Sequence, residues 1–210
     1  AGLTGELTAL KARATFAKGI WGKVNPVNTA SPLVSSADAA NLAAAALADL
    51  GTDFSVNLIT DPSAPETIGA LDIAGEVNDR LEMRLSNTYV ISTDLKRPDS
   101  PNDGDPATTI SLKDPIDDIA DPALYRPVAA FTNAGRFPEY PVATGREMHL
   151  ILAENSLASG DNTGFTTHIN HIRAMDGLTP YSGQIDAQAM LLHTRRCLLY
   201  TSPSPRDTRE

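Results

Sequence analysis

An apolar segment at residues 147–159 predicts a helix that is buried on more than one side. Its leucine, isoleucine, methionine and alanine residues lie nearly all around a helical circumference, which is typical of a helix packed against several neighbours. Gly160 offers the left-handed residue that often ends such a helix, and Asp161 or Thr163 can cap the next one.

A second helix follows this turn and makes the pair a helical hairpin. Phe165, Ile169 and Ile172 fall on one stripe, and Gly177 with Pro180 ends the run. The segment 146–178 has the length of the helix pair in tetratricopeptide-like repeats, although its match to that consensus is partial. We therefore predict a mostly α fold of tetratricopeptide-like helical hairpins.

The clearest periodicity of the chain lies near its start, where apolar residues alternate spacings of four and three. This pattern predicts a helix whose apolar stripe faces the core and which ends at Asn25-Pro26. A coiled coil is the alternative, but alanines at two of the positions suit close packing inside a helical domain better. The stripe comprises Leu3, Leu7, Leu10, Ala14, Ala17, Trp21 and Val24.

The middle of the chain predicts one further strong helix and a long irregular segment. Residues 35–38 fit a capping start for an alanine-rich helix over 39–50, with Leu42, Leu47 and Leu50 facing the core and Gly51 ending it. Residues 71–85 give a weaker helical pattern, and residues 88–92 favour an extended segment. Prolines throughout 94–141 prevent long elements, so we predict a Pro-rich irregular insertion that can carry a ligand surface.

Four segments together resemble one known family. The strongest is 146–178, which reads R-E-M-H-L-I-L-A-E, then G-D, then H-I-N-H-I-R-A-M-D-G-L; the weaker ones are 10–14, 84–90 and 192–196. They are similar to SusD/RagB-type nutrient-binding outer-membrane lipoproteins of Bacteroidetes and related bacteria. The last segment departs from the family at Thr194, where an acidic residue usually stands.

This resemblance implies a non-catalytic protein of the outer cell surface. Such lipoproteins cap a SusC-like TonB-dependent transporter and deliver oligosaccharides, or in some members peptides, to it. Membrane attachment would come from a lipid anchor upstream of Ala1. The alternative function is that of a helical-repeat adaptor that binds other proteins.

Residues 197–210 resemble the translated adapter read-through found at the ends of gene predictions from shotgun assemblies. Their two Ser-Pro pairs and several charges interrupt the preceding apolar pattern. We therefore expect a partial SusD/RagB-like domain over 1–196, with the insertion at 94–141, followed by a non-native tail. The single cysteine, Cys197, lies at the start of that tail.

Composition and motifs narrow the functional classes. A formal net charge of −9 without a basic stripe disfavours nucleic-acid binding. No phosphate-binding loop, dinucleotide fingerprint, nucleophile elbow or Cys-x-x-Cys pair occurs in the sequence, so we expect neither enzymatic activity nor a cofactor. An acidic stretch at 99–105 fails the EF-hand spacing, and a turn is its default interpretation.

Sugar recognition commonly uses aromatic faces, which directs attention to aromatic residues outside the predicted cores. The candidate ligand-binding residues are Tyr125, Phe137, Tyr140, Tyr89 and Trp21. For each of them, ordinary packing is the competing interpretation.

The predicted hairpin also holds polar residues that could carry chemistry. The spacing of His149, His168 and His171 matches neither Glu-x-x-His nor His-Glu-x-x-His, so we expect no metal site. Glu154 lies on an otherwise apolar helix and needs a partner, for which the sequence offers Arg173 or Arg146.

Overall fold

The computed structural model describes residues 2–24, 31–58, 112–124 and 139–198. Within these ranges the chain forms five α-helices: α1 (Leu3–Val24), α2 (Ala37–Leu50), α3 (Gly145–Ala158), α4 (Asn162–Met175) and α5 (Ala187–Leu198). Two short strands, β1 (Ser55–Leu58) and β2 (Tyr140–Thr144), form a two-stranded sheet. The prediction of a mostly helical fold is confirmed for the described part of the chain.

The chain divides into two compact units. One unit contains Ala1–Val56 and Val142–Glu210, and therefore all five described helices; the other contains Asn57–Pro141. In the first unit α2 contacts both α1 and α3, while α3 also contacts α4 and α5. The domain boundaries expected from the sequence, 1–196 with an insertion at 94–141, stay predictions.

Helix α1 forms where the periodicity predicts it, but the prediction of its buried face is wrong. Leu3, Leu7 and Trp21 are exposed at 71%, 56% and 60% of their surface. The buried side of α1 instead consists of Gly5, Ala9, Ala12 and Phe16.

The physical reason is the small size of the residues on that side. A Cβ atom added to Gly5 would lie 2.8 Å from the Leu50 side chain, and one added to Gly19 would lie 2.6 Å from Val34. Small residues on this side of α1 therefore allow close packing against Leu50 of α2 and against Val34 in the segment before α2, and this packing buries the small-residue stripe.

Helix α2 ends where it was predicted to end, at Leu50, and begins at Ala37, two residues before the predicted start. Ser36 is the N-cap, with its hydroxyl accepting a hydrogen bond from the amide of Ala39 at 3.3 Å, and Gly51 ends the helix with φ +89°. The fully buried positions are alanines, at 39, 40, 43 and 46. Leu42 and Leu47, predicted to face the core, are half-buried at its edge.

The core of the first unit is built mainly from small residues of α1 and α2 packed against α3. Its larger members are Phe16, Val34, Met148 and Ile151. Helix α3 is buried on several sides, as its apolar circumference predicts, and the predicted stripe of α4, Phe165, Ile169 and Ile172, is buried.

Glycine at the start of α3 permits a backbone contact that no other residue allows. The amide of Gly145 donates a hydrogen bond to the carbonyl of Phe54 at 2.9 Å. A Cβ atom at this position would lie 2.2 Å from the carbonyl oxygen of Thr52, which belongs to backbone and cannot swing away. The first turn of α3 is thereby held against the segment that precedes β1.

In the second unit, residues 112–124 form a compact turn. Lys113 and Ala120 make an antiparallel bridge, and a 3-10 turn follows at Pro122–Leu124. The buried carboxylate of Asp114 accepts hydrogen bonds from the amides of Ile116 and Asp117 at 3.0 and 2.9 Å. Local side-chain hydrogen bonds of this kind replace regular secondary structure in proline-rich sequence.

Several predicted elements lie outside the described residues. They are the helix at 71–85, the extended segment at 88–92, the acidic stretch at 99–105 and most of the Pro-rich insertion. Residues 199–210 of the expected tail also lie outside; Cys197 lies within α5 and is buried.

Candidate functional site

The turn between α3 and α4 brings the polar residues of the two helices together. Gly160 adopts φ +81°, and the Asp161 carboxylate accepts a hydrogen bond from the amide of Gly164 at 2.9 Å. Both roles follow the sequence prediction, and of the two predicted caps Asp161 is the one used. The tight turn fixes the register of the hairpin.

Three histidines meet on one side of this hairpin. Nδ1 of His149 on α3 lies 3.2 Å from Nδ1 of His168 on α4. The ring of His171, one turn further along α4, stacks on His149 with centroids 4.7 Å apart and an interplanar angle of 20°. The rings of His168 and His171 are 6.3 Å apart. We call these three residues the histidine cluster.

The histidine cluster runs from the interior to the surface. His149 is buried, His168 is half-buried and His171 is exposed. Burial and the two neighbouring imidazoles lower the pKa of His149 from 6.5 to about 4. Burial and His171 also lower the pKa of His168, against the opposing effect of the Asp161 carboxylate. Both rings are therefore neutral near pH 7, and each has one nitrogen lone pair without a proton.

His149 is not satisfied by hydrogen bonds within the described part of the chain. Its Nε2 atom is buried without a hydrogen-bond partner, so the contact with His168 is the polar contact that its ring makes there. A buried imidazole nitrogen in this condition calls for a further partner, such as a water molecule.

Glu154 lies at the centre of a different polar group and has a partner that the sequence did not predict. Its carboxylate pairs with Arg195 of α5, and it accepts a hydrogen bond from the amide of Val34 at 2.7 Å. The side chains of Glu154 and Arg195 are both almost wholly buried. This pair joins α3, α5 and the segment before α2.

The two arginines predicted as partners of Glu154 make contacts at the ends of the hairpin. Arg146 pairs with Asp176 at the end of α4, and Nε of Arg173 donates a hydrogen bond to the carbonyl of Thr179 at 2.6 Å. These contacts hold the chain that leaves α4. They assign the arginines to the scaffold.

The loop after α4 is fixed by Asn170 and Tyr181. The Asn170 amide oxygen accepts from the Tyr181 backbone amide at 2.7 Å, and its nitrogen donates to the Tyr181 carbonyl at 3.0 Å. The Tyr181 ring packs edge-on against Phe165, with centroids 5.6 Å apart. Burial and the nearby Asp186 carboxylate raise the pKa of Tyr181, so its hydroxyl stays protonated.

Two of the five aromatic candidates lie within the described residues. Trp21 is exposed near the end of α1, and Tyr140 is the first residue of β2. Tyr89, Tyr125 and Phe137 lie outside the described residues.

The sequence alone could have predicted the histidine cluster, but motifs defined by spacing within one helix do not detect it. His149 precedes Gly160 by eleven residues and His171 follows it by eleven. In an antiparallel hairpin with a tight turn, positions equally distant from the turn lie side by side. Arg195 had no comparable signal, because the packing of α5 against α3 decides its contact with Glu154.

Comparison with protein-family models, with curated proteins and with solved structures gave no match for this chain. Among the described residues, no helix is both long enough and apolar enough to span a membrane.

Proposed function

We propose that this chain is part of a SusD/RagB-like protein of the outer cell surface. In this proposal the protein binds a glycan nutrient and delivers it to a SusC-like TonB-dependent transporter, and it does not catalyse a reaction. Attachment to the outer membrane would come from a lipid anchor upstream of Ala1.

The observation that supports this proposal is the agreement between the resembling segments and the buried contacts. The strongest segment, 146–178, spans most of α3 and all of α4. Glu154 from this segment pairs with Arg195 from the later resembling segment, 192–196. Residues that the resemblance aligns separately are thus structural partners, which is expected of a shared scaffold.

Within this proposal, α3 and α4 form one tetratricopeptide-like unit. The Pro-rich insertion at 94–141 supplies the ligand surface through Tyr125, Phe137 and Tyr140, with Tyr89 and Trp21 as further candidates. Glycan-array binding by the protein from the complete gene tests the proposal. Binding to oligosaccharides supports it, whereas binding to peptides without any glycan overturns the sugar assignment.

A protein-binding adaptor is the second candidate, and the exposed face of α1 favours it. Leu3, Leu7 and Trp21 place apolar surface in solvent along one side of this helix. Of these, Leu3 and Leu7 lie one turn apart, and contiguous exposed apolar surface marks interaction sites in many proteins.

Two substitutions distinguish the candidates. A sugar that stacks on Trp21 requires the indole ring, so Trp21→Ala should weaken glycan binding at least tenfold while Leu7→Ser leaves it unchanged. A partner helix lying along α1 would contact both residues, so both substitutions should weaken its binding. A lipoprotein signal in the complete gene would further disfavour a cytosolic adaptor.

A further inference from the structure

We propose that His149, His168 and His171 form a binding site for a divalent transition metal ion of the zinc class. The proposal is independent of the nutrient-binding function, and it reverses the expectation drawn from histidine spacing alone. The tertiary fold, not a motif within one helix, brings the ligands together.

The separation of the first two histidines is that of two ligands on one metal ion. Zinc binds imidazole nitrogen at about 2.0–2.1 Å with tetrahedral angles, which places two such nitrogens about 3.3 Å apart. Nδ1 of His149 and Nδ1 of His168 are 3.2 Å apart. A metal ion can therefore replace the hydrogen bond between these rings with little movement of either helix.

His171 completes the site by a side-chain rotation. Its ring is nearly parallel to that of His149, and because nitrogen lone pairs lie in the ring plane, stacked rings do not direct them at a common point. His171 is exposed at one turn's distance from His168 on the same helix. It can rotate into the coordination sphere without disturbing the core.

The surroundings favour a cation of this class. His149 and His168 are held neutral, which is the form that ligates metal. The negative charge of the Asp161 carboxylate opposes the lowering of the His168 pKa, and it would also attract a cation. Imidazole ligands select zinc, copper, nickel and cobalt over magnesium and calcium, which prefer oxygen. The exposed side of the cluster gives the ion access from solvent.

Metal titration of the full chain without a histidine tag tests the site. Zn²⁺ binding is measured by calorimetry near pH 7.5, and Co²⁺ serves as a spectroscopic probe, because tetrahedral and octahedral cobalt differ strongly in visible absorption. We expect one equivalent of Zn²⁺ to bind and the thermal unfolding midpoint to rise with Zn²⁺ concentration, because the ion binds the folded state.

Variants then assign the ligands. His168→Gln and His171→Gln should each weaken Zn²⁺ binding at least tenfold and remove the thermal shift. Both residues are at least partly exposed, and circular dichroism verifies that the variants fold. His193→Gln tests a competing site on α5, where Nε2 of His193 lies 3.7 Å from the Cys197 sulfur, another possible metal ligand, and Zn²⁺ binding at the histidine cluster should persist in this variant. Thr167→Gln, at an exposed position of α4 next to His168, is the matched control.

Three outcomes overturn the proposal. They are the absence of saturable Zn²⁺ or Co²⁺ binding by the folded chain, unchanged affinity in either His168→Gln or His171→Gln, and loss of binding in His193→Gln. Loss of binding in His193→Gln would place the metal site on α5. Glycan binding does not enter these measurements, so failure of the metal site leaves the nutrient-binding proposal untouched.

Discussion

Removing one partner of the Glu154–Arg195 pair should destabilise the helical unit severely. Arg195→Met keeps an unbranched side chain of similar length but removes the guanidinium that pairs with the carboxylate of Glu154, which is 0% exposed. Loss of one member of a buried ion pair costs about 3–5 kcal/mol. Against a total unfolding free energy of about 5–15 kcal/mol for ordinary domains, that is a large fraction.

The double variant Glu154→Leu/Arg195→Met separates the effect of charge from that of packing. It removes both buried charges, so the main remaining defect is the amide of Val34, which loses the carboxylate that accepts its hydrogen bond. An unsatisfied buried donor costs about 1–3 kcal/mol. We therefore expect the double variant to be more stable than Arg195→Met alone.

Urea unfolding followed by far-ultraviolet circular dichroism measures these differences. Trp21 is a poor fluorescence probe because it is already exposed in the folded state. A loss below about 1 kcal/mol in Arg195→Met would contradict the burial of a charged pair. If the loss of stability in the double variant equals the sum of the losses in Arg195→Met and Glu154→Leu, the two residues are not coupled.

Three further predictions test the packing and the electrostatics of the same unit by unfolding measurements. Phe16→Ala should lower the free energy of unfolding by about 3–5 kcal/mol, because the Phe16 side chain is buried. Leu7→Ser should lower it by less than about 0.5 kcal/mol, because Leu7 is 56% exposed. Equal losses would contradict the observed buried face of α1. Gly145→Ala should lower the free energy of unfolding by about 1–3 kcal/mol, because the added Cβ would meet the Thr52 carbonyl. Gly22→Ala has open space around it and should raise the free energy of unfolding by up to about 1 kcal/mol. A less stable Gly22→Ala than Gly145→Ala would refute the close contact at Gly145. Burial raises the pKa of Glu147 from 4.5 to about 7, with Arg13 opposing the rise. The folded state thus keeps a proton that the unfolded state releases, so stability is full below pH 4.5 and falls by about 3 kcal/mol as the pH rises to 7. Glu147→Gln should abolish this slope, and an unchanged slope would assign it to another group.

The sequence determined the helices of this protein through local chemistry. Ser36 and Gly51 limit α2, while Gly160 and Asp161 make the turn between α3 and α4. Caps and left-handed glycines act over a few residues, so their effect can be deduced without knowing the fold. The burial of Phe165 and its stripe follows in the same way from helical periodicity.

Tertiary structure alone decided which surfaces meet. Two stripes compete for the core on α1, and the one with small residues is buried because it allows close packing against α2 and the segment before it. Glu154 needed a partner on sequence grounds, yet the packing of α5 selected Arg195. The histidine cluster likewise depends on the register between two helices. Contacts between distant segments depend on the shapes of the packed surfaces and on their separation in the folded chain. A local sequence pattern contains neither kind of information.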